Sequence, residues 1–302
     1  MAAVPGEPVI RIRNLVKQFD GKTVLDGINL EVSPGETMVV MGGSGCGKST
    51  LLRHMIGTFT PNEGSVEIFG RNLATLDEDG LNEVRRRFGI LFQSGALFNS
   101  MTVAENVALP LREHTDLDPD IIRTMVKIKL ELVGLREHAD KYPAQISGGM
   151  KKRAGLARAL ALDPRILFYD EPSAGLDPVT SAEIDQLILD LTRKLQVTSV
   201  VVTHEMDSAF TIADRMAMLD KGRMLVVETR EWFDRLRKTS REEAQQLSED
   251  QQLIRQFLRG DHEGPITRRK AATNYAEDLL GVAPGTTTFG DMPSVTSTRG
   301  EV

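Results

Sequence analysis

The chain has 302 residues, 40% of them hydrophobic and 26% charged, the proportions of an ordinary globular protein with material for one large domain or two moderate ones. Its net charge of −6 excludes a general nucleic-acid binder, which needs a basic face to displace counterions from phosphates. A lone cysteine, Cys46, excludes an internal disulfide and fits a reducing compartment.

No apolar run reaches the length of a membrane-spanning helix and no charged-then-apolar leader opens the chain, so a cytosolic protein is expected. The first third reads as short strands and turns: "VIRIRNLVKQF" (residues 9–19), "LDGINLEV" (25–32) and "GSVEIFG" (64–70), punctuated by Gly and Asp.

Between them, "TMVVM" is a short apolar run of the kind that forms a buried strand, and "STLLRHMIG" is helical in pattern. The intervening Gly42, Gly43, Ser44, Gly45, Cys46, Gly47, Lys48, Ser49 and Thr50 match the phosphate-binding loop G-x-x-x-x-G-K-[ST]. Glycines there let backbone N–H groups and the helix N-terminus close around phosphates. Lys48 is expected between the outer phosphates and Ser49 on Mg²⁺. Cys46 needs only to be small at this place.

Residues from about Gln93 to Leu162 read mainly as helices, with "PDIIRTMVKIKLELVG" strongly periodic and ending at Gly134. Ala96, Leu97, Phe98, Met101 and Val103 are too apolar for an open loop. They either pack inside this helical segment or receive a helix of another protein. In "ISGGMKKRAGLARAL" (146–160), Ser147 is a good helix N-cap, and Gly148 and Gly149 offer N–H groups to an anion. Lys151, Lys152 and Arg153 read as a solvated helix face.

"RILFYDE" is a second buried strand, ending at Asp170 and Glu171. Asp170 suits Mg²⁺ through water, and Glu171 is the candidate base for an attacking water. "VTSVVVTHE" brings His204 to the same sheet edge, where ligands of doubly wound sheets bind. Residues 232–258 are charged and helix-prone, with Leu253, Ile254, Phe257 and Leu258 as a short apolar face. The stretch 282–302 has almost nothing to bury and is expected to be disordered.

The succession of phosphate loop, Gln93, "ISGGM", "RILFYDE", "SAGLD" and His204 resembles the ATPase subunit of ABC transporters over roughly residues 9–230. The resemblance implies an α/β phosphate-loop NTPase: an ABC-type cassette with a RecA-like core, an antiparallel β subdomain and a helical signature subdomain at about 94–162. The cassette would span 1–240, a helical extension or partner arm 241–281, and the tail 282–302. ATP and Mg²⁺ are the implied cofactors. Phe19 would stack on adenine, Gln93 would contact Mg²⁺ and sense the permease, and residues 173–177 would touch the opposite subunit. Two copies would sandwich two ATPs, with Ser147, Gly148 and Gly149 facing the partner's γ-phosphate.

Glutamine usually follows that Ser-Gly-Gly, and Met150 departs from it. Met150, together with "ILFQSGALFNSMTVAENVALPLREH" and the runs 256–266 and 275–281, resembles the ATPases of Mla/Mce-type lipid transporters. That implies a peripheral protein on the cytoplasmic side of the inner membrane, moving phospholipid or another lipid. Its implied partners are integral permease subunits, an Mce-domain substrate-binding subunit and a small cytosolic accessory subunit. The alternatives are the ATPase of an importer for polar amino acids or other small solutes, and a soluble ABC ATPase. No internal repeat suggests a tandem two-cassette chain.

Overall fold

The computed structural model describes residues 7–267, which fall into two compact units dividing at Thr239 and Ser240. The first holds two sheets. In the smaller, β1 (Ile10–Phe19), β2 (Lys22–Val32), β4 (Glu63–Ile68) and β5 (Arg71–Asn72) run antiparallel in the order β2-β1-β4-β5. Ile10, Ile12 and Leu15 of β1 and Leu25, Ile28 and Leu30 of β2 turn one face into the core.

The larger sheet contains β3 (Thr37–Gly42), β6 (Phe88–Leu91), β7 (Ile166–Asp170), β8 (Thr198–Val202), β9 (Arg215–Asp220) and β10 (Arg223–Thr229), ordered β10-β9-β3-β8-β7-β6. All pairs are parallel except β9 with β10. Every residue of β3 and β8 is buried, which explains their unbroken apolar runs: a parallel strand covered on both faces shows no alternation. The register fixes what stands at the sheet edge. Val202 of β8 lies level with Val40 on one side and Asp170 on the other, and Tyr169 of β7 lies level with Leu91. Gly42, Asp170, His204 and Gln93 therefore all emerge at the carboxyl ends of neighbouring strands.

The two sheets are tied at the β9–β10 turn. Gly222 donates its N–H to the Cys46 carbonyl at 3.0 Å, and its own carbonyl accepts the Asp26 N–H at 2.8 Å. Its φ is +81°, and a Cβ there would stand 2.5 Å from the Val24 carbonyl oxygen, so only glycine fits.

Helix α1 (Lys48–Met55) follows β3, and α2 (Glu78–Arg85) precedes β6. Three helices, α3 (Val103–His114), α4 (Pro119–Leu132) and α5 (Gly148–Ala159), lie between β6 and β7 and pack on one another. Thr102 and Glu105 form a capping box on α3, Asp118 caps α4 with Pro119 behind it, and Gly134 follows the end of α4 with φ +69°. Helices α6 (Pro178–Leu195), α7 (Met206–Ile212) and α8 (Arg230–Lys238) complete this unit.

The charged stretch from Glu231 is not one helix. It breaks after α8 and restarts as α9 (Glu249–Arg259), where Ser248 and Gln251 form a capping box. In this second unit Gln256 donates to the Asp261 carbonyl and accepts from the Ile266 N–H, folding residues 261–266 back on the helix end. The rest of the expected extension, from residue 268, and the tail 282–302 lie outside the described residues. Among the described residues no helix is long and apolar enough to cross a membrane.

Candidate functional site

The loop between β3 and α1 is shaped around its lysine. Lys48 is 8% exposed, and its ammonium donates to the carbonyls of Gly42 at 2.7 Å and Gly43 at 3.0 Å. Gly47 enters the helix with φ +109°, and a Cβ there would meet Leu25 Cδ2 at 2.8 Å. No side chain caps α1, so its first N–H groups are left to a ligand, and an anion is what the helix dipole favours there. Ser44, Gly45 and Ser49 are exposed, Gly43 and Thr50 half-buried. Cys46 is buried, and that burial pushes its thiol up more than neighbouring Lys48 pulls it down. A neutral, enclosed thiol suits packing rather than redox chemistry.

At the end of β7, burial raises the Asp170 carboxyl above its usual range. Glu171 beside it adds to the rise, while Arg53 and Lys48 oppose it. Ser49, Asp170 and the Gln93 amide offer only oxygen donors, the set a hard cation such as Mg²⁺ takes. Among the described residues no three His, Cys, Asp or Glu side chains converge, so Mg²⁺ here would share these oxygens with phosphate and water, its usual mode. Such an ion neutralises charge on a transferring phosphoryl group.

Glu171 is held from three sides. Its Oε1 lies 2.8 Å from His204 Nδ1, and its Oε2 accepts from Thr203 Oγ1 at 3.2 Å and the His204 N–H at 3.3 Å. Its N–H donates to the Val202 carbonyl at 2.9 Å. The backbone adopts φ +50°, a left-handed conformation that costs a non-glycine residue about 1 kcal/mol or more. Thr203 was not singled out by sequence, although its place between the β8 run and His204 was the available signal.

Phe19 ends β1, 38% exposed, with Phe59 edge-on at 5.4 Å and the Lys17 ammonium 5.1 Å from its ring centre. Gln93 sits exposed in the turn after β6. That turn is anchored by Arg158 of α5, which donates to the carbonyls of Gly95 at 3.0 Å and Ala96 at 2.8 Å.

Ser147 caps α5 by accepting the Met150 N–H at 3.3 Å. Ser147 and Gly148 are exposed, whereas Gly149 is buried with its missing Cβ 2.5 Å from Thr180 Cγ2. No hydrogen bond among the described residues joins 147–149 to the loop 42–50. Asp177 caps α6, accepting from the Val179 and Thr180 N–H groups at 3.1 Å each.

One expectation is overturned. Lys152 does not belong to a solvated face: it is 5% exposed, and its ammonium donates to the Glu171 and Ala174 carbonyls at 3.2 and 2.7 Å. Arg153 bonds the Val133 carbonyl and Glu183. The missed signal is periodicity, because Gly149, Lys152 and Leu156 share the buried face of α5.

A β3–loop–α1 unit with acids and a histidine on the adjoining strand ends defines a phosphate-loop ATPase. The chain belongs to the ABC transporter family of ATP-binding, ATP-hydrolysing proteins, whose profile matches residues 25–174. It is 40% identical to a "Probable ribonucleotide transport ATP-binding protein mkl" of Mycobacterium leprae (strain TN), over 94% of this chain and 81% of that one. It is 39% identical to an "Intermembrane phospholipid transport system ATP-binding protein MlaF" of Haemophilus influenzae, over 90% of this chain and 98% of that one. Its fold matches the dimeric, ADP- and Pi-bound, post-hydrolysis structure of the ATP-binding cassette MJ0796 with TM-score 0.67 at 33% identity, covering 73% of this chain and 98% of that one.

Proposed function

We propose that this chain is the ATPase of a lipid-moving ABC transporter, working as an ATP-sandwich dimer on the cytoplasmic side of the inner membrane. The presence of two anion-ready ends in one chain carries the dimer. Lys48 and the loop amides prepare one phosphate seat, Ser147 and Gly148 another, and a second copy facing the first head to tail would join them. The dimeric cassette structure that this fold matches supports this. In each site Phe19 takes the adenine, residues 42–50 take the phosphates, and Ser49, Asp170 and Gln93 take Mg²⁺. Glu171 orients and deprotonates water, with Thr203 and His204 holding its carboxylate. The partner's signature loop closes on the γ-phosphate, and residues 173–177 touch the other copy.

The permease is assigned to a groove of about 510 Å³ between the core and α3–α5, lined by Ile90, Phe92, Phe98, Pro110, His114 and Leu162 among others. Phe92 and Phe98 are 40% and 50% exposed there, whereas Val103 is fully buried. The apolar cluster of residues 96–103 is thus divided between a presented edge and a packed root. Asn106, wholly buried, makes that edge. It accepts the Phe98 N–H and lies within 2.9–3.2 Å of the carbonyls of Phe98, Met101 and Thr102. An Mce-domain subunit and a small cytosolic subunit are the further partners, and residues 241–281 the arm that reaches the second copy.

The lipid cargo rests on the similarity to a phospholipid-transport protein and on the run around Met150. A ribonucleotide cargo is the second reading, from the similarity to the mycobacterial protein named for ribonucleotide transport. Purifying the membrane complex through this chain and identifying bound proteins and small molecules by mass spectrometry separates them. Phospholipid with a permease supports the proposal. Nucleotide or amino-acid cargo, or no membrane partner, overturns the lipid reading.

A further inference from the structure

The Glu171 turn is gripped on its backbone by a group that none of the assigned roles uses. Residues 171–174 form a tight turn, closed by the Ala174 N–H on the Glu171 carbonyl at 3.2 Å. The Lys152 ammonium spans this turn, bonding both of its terminal carbonyls. Burial lowers the Lys152 pKa, and Glu205 and Glu171 oppose that. A buried ammonium with two carbonyl acceptors is a directional tie, since losing the donor takes a partner from both oxygens and leaves the Glu171 carbonyl with the turn's own N–H alone. It also holds the left-handed backbone of Glu171 at its carbonyl, while Thr203 and His204 hold its carboxylate.

Lys152 lies on α5, five residues from the Ser147 cap, or about 7.5 Å along the helix axis. The same helix is tied to the Gln93 turn by Arg158. Its small Gly155 lets the helix lie close: a Cβ there would be 2.9 Å from the Gly95 carbonyl oxygen. Helix α5 therefore carries an anion seat at one end and grips two loops of its own chain's ATP site along its length.

We infer that Lys152 is a positioning residue for hydrolysis, tying the signature helix to the Glu171 turn so that seating the partner's γ-phosphate on Ser147 also aligns the chain's own base. This rests on the proposed roles of Glu171 and Ser147. Lys152 touches no nucleotide; it acts through the main chain of the residue that does the chemistry.

The test is a double-mutant cycle on the assembled complex, read as single-turnover hydrolysis of labelled ATP together with ATP affinity. Lys152→Met keeps the length of the side chain and removes its donors. It is expected to slow hydrolysis about 10–100-fold, the scale of losing a support for a general base, with ATP affinity changed less than twofold. Lys152→Arg, which retains the cation and two donors, restores most of the rate. In a Glu171→Gln background, Lys152→Met adds less than threefold further loss, because groups acting through one carboxylate are not additive. A merely structural lysine would give multiplying losses, or affinity falling in step with rate, and either result overturns the inference. Should Lys152→Met fail to fold, Lys152→Leu, which also lacks a donor, carries the same cycle. A Glu171→Gln variant with undiminished turnover would instead remove the reading of Glu171, a failure recognisable without touching Lys152.

Discussion

His204 Nδ1 lies 2.8 Å from Glu171 Oε1, on an imidazole that is 58% exposed while the carboxylate is 13% exposed. The acid is thus enclosed and its partner open. Thr203 and the His204 N–H hold the other oxygen, so the carboxylate has two holds that do not depend on the imidazole. Glu171→Gln is expected to lower ATP turnover by about 10²–10⁴, the range for loss of a general base, while nucleotide binding persists. Steady-state hydrolysis beside a binding isotherm checks this; near-wild-type turnover would refute the assignment.

Ser147 and Gly149 differ in kind. Ser147→Ala removes the α5 cap and an exposed donor, and is expected to lower turnover of the complex by about 10²–10³, as losing one preorganised anion donor does. Gly149→Asp is worse, since the new side chain would collide with Thr180 Cγ2, 2.5 Å from its Cβ, and place an unpaired charge on the buried face of α5. Met150→Gln changes turnover less than about tenfold, because a modest hydrogen bond is worth ~1.4 kcal/mol at most. Equal damage from Met150→Gln and Gly149→Asp would show that position 150 is chemically specialised.

Phe98 and Val103 separate docking from folding. Phe98→Glu, on the presented edge, is expected to release the protein from membranes while its melting temperature stays close to wild type. Val103→Glu, at a site with no exposed surface, places an unpaired charge in the core and costs several kcal/mol, so that variant does not fold stably. Membrane flotation and thermal melts distinguish them. A Phe98→Glu variant that stays membrane-bound would move the permease elsewhere.

Asp185 offers a pH-dependent check. It is 4% exposed, Oδ1 has no partner, and burial raises its pKa, with Glu205 adding to the rise and a Ser208 hydrogen bond opposing it. A carboxyl that holds its proton more tightly when folded contributes stability below its unfolded pKa and loses it as pH rises through the folded value. Asp185→Asn removes that loss. Its melting temperature should exceed wild type at pH 8, with the gap narrowing towards pH 4. A gap that widens on acidification would contradict the sign.

Much of the site was legible because its residues sit in local runs. The glycine loop, the two strands ending in Asp170–Glu171 and His204, and the Ser147 cap each announce themselves within about ten residues. What stayed hidden was held across long separations. Asn106 plugs a loop eight residues away, which no spacing rule expects of a buried asparagine. Lys152 sits in a run of three cations that reads as solvated, and its carbonyl partners lie 19 and 22 residues on. Helical periodicity alone marked it, as a cation on an apolar face. The break between α8 and α9 was signalled by Ser248, but uniform charge masked it.

The Gly222 turn has a consequence for which nucleotides can be used at all. By bonding Cys46 in the phosphate loop and Asp26 in β2 at once, it welds the strand pair bearing Phe19 to the frame bearing Lys48. The interval between the proposed aromatic platform and the phosphate seat is then a fixed gauge, set by hydrogen-bonded turns rather than by any ligand. Molecules are sorted by span: a ribose between base and phosphates meets both ends, and a longer or shorter spacer leaves one end empty. Selection by span is indifferent to which ring fills the platform, so on the proposed role of Phe19 discrimination between purines would fall to groups around that ring, Lys17 and Phe59 among them.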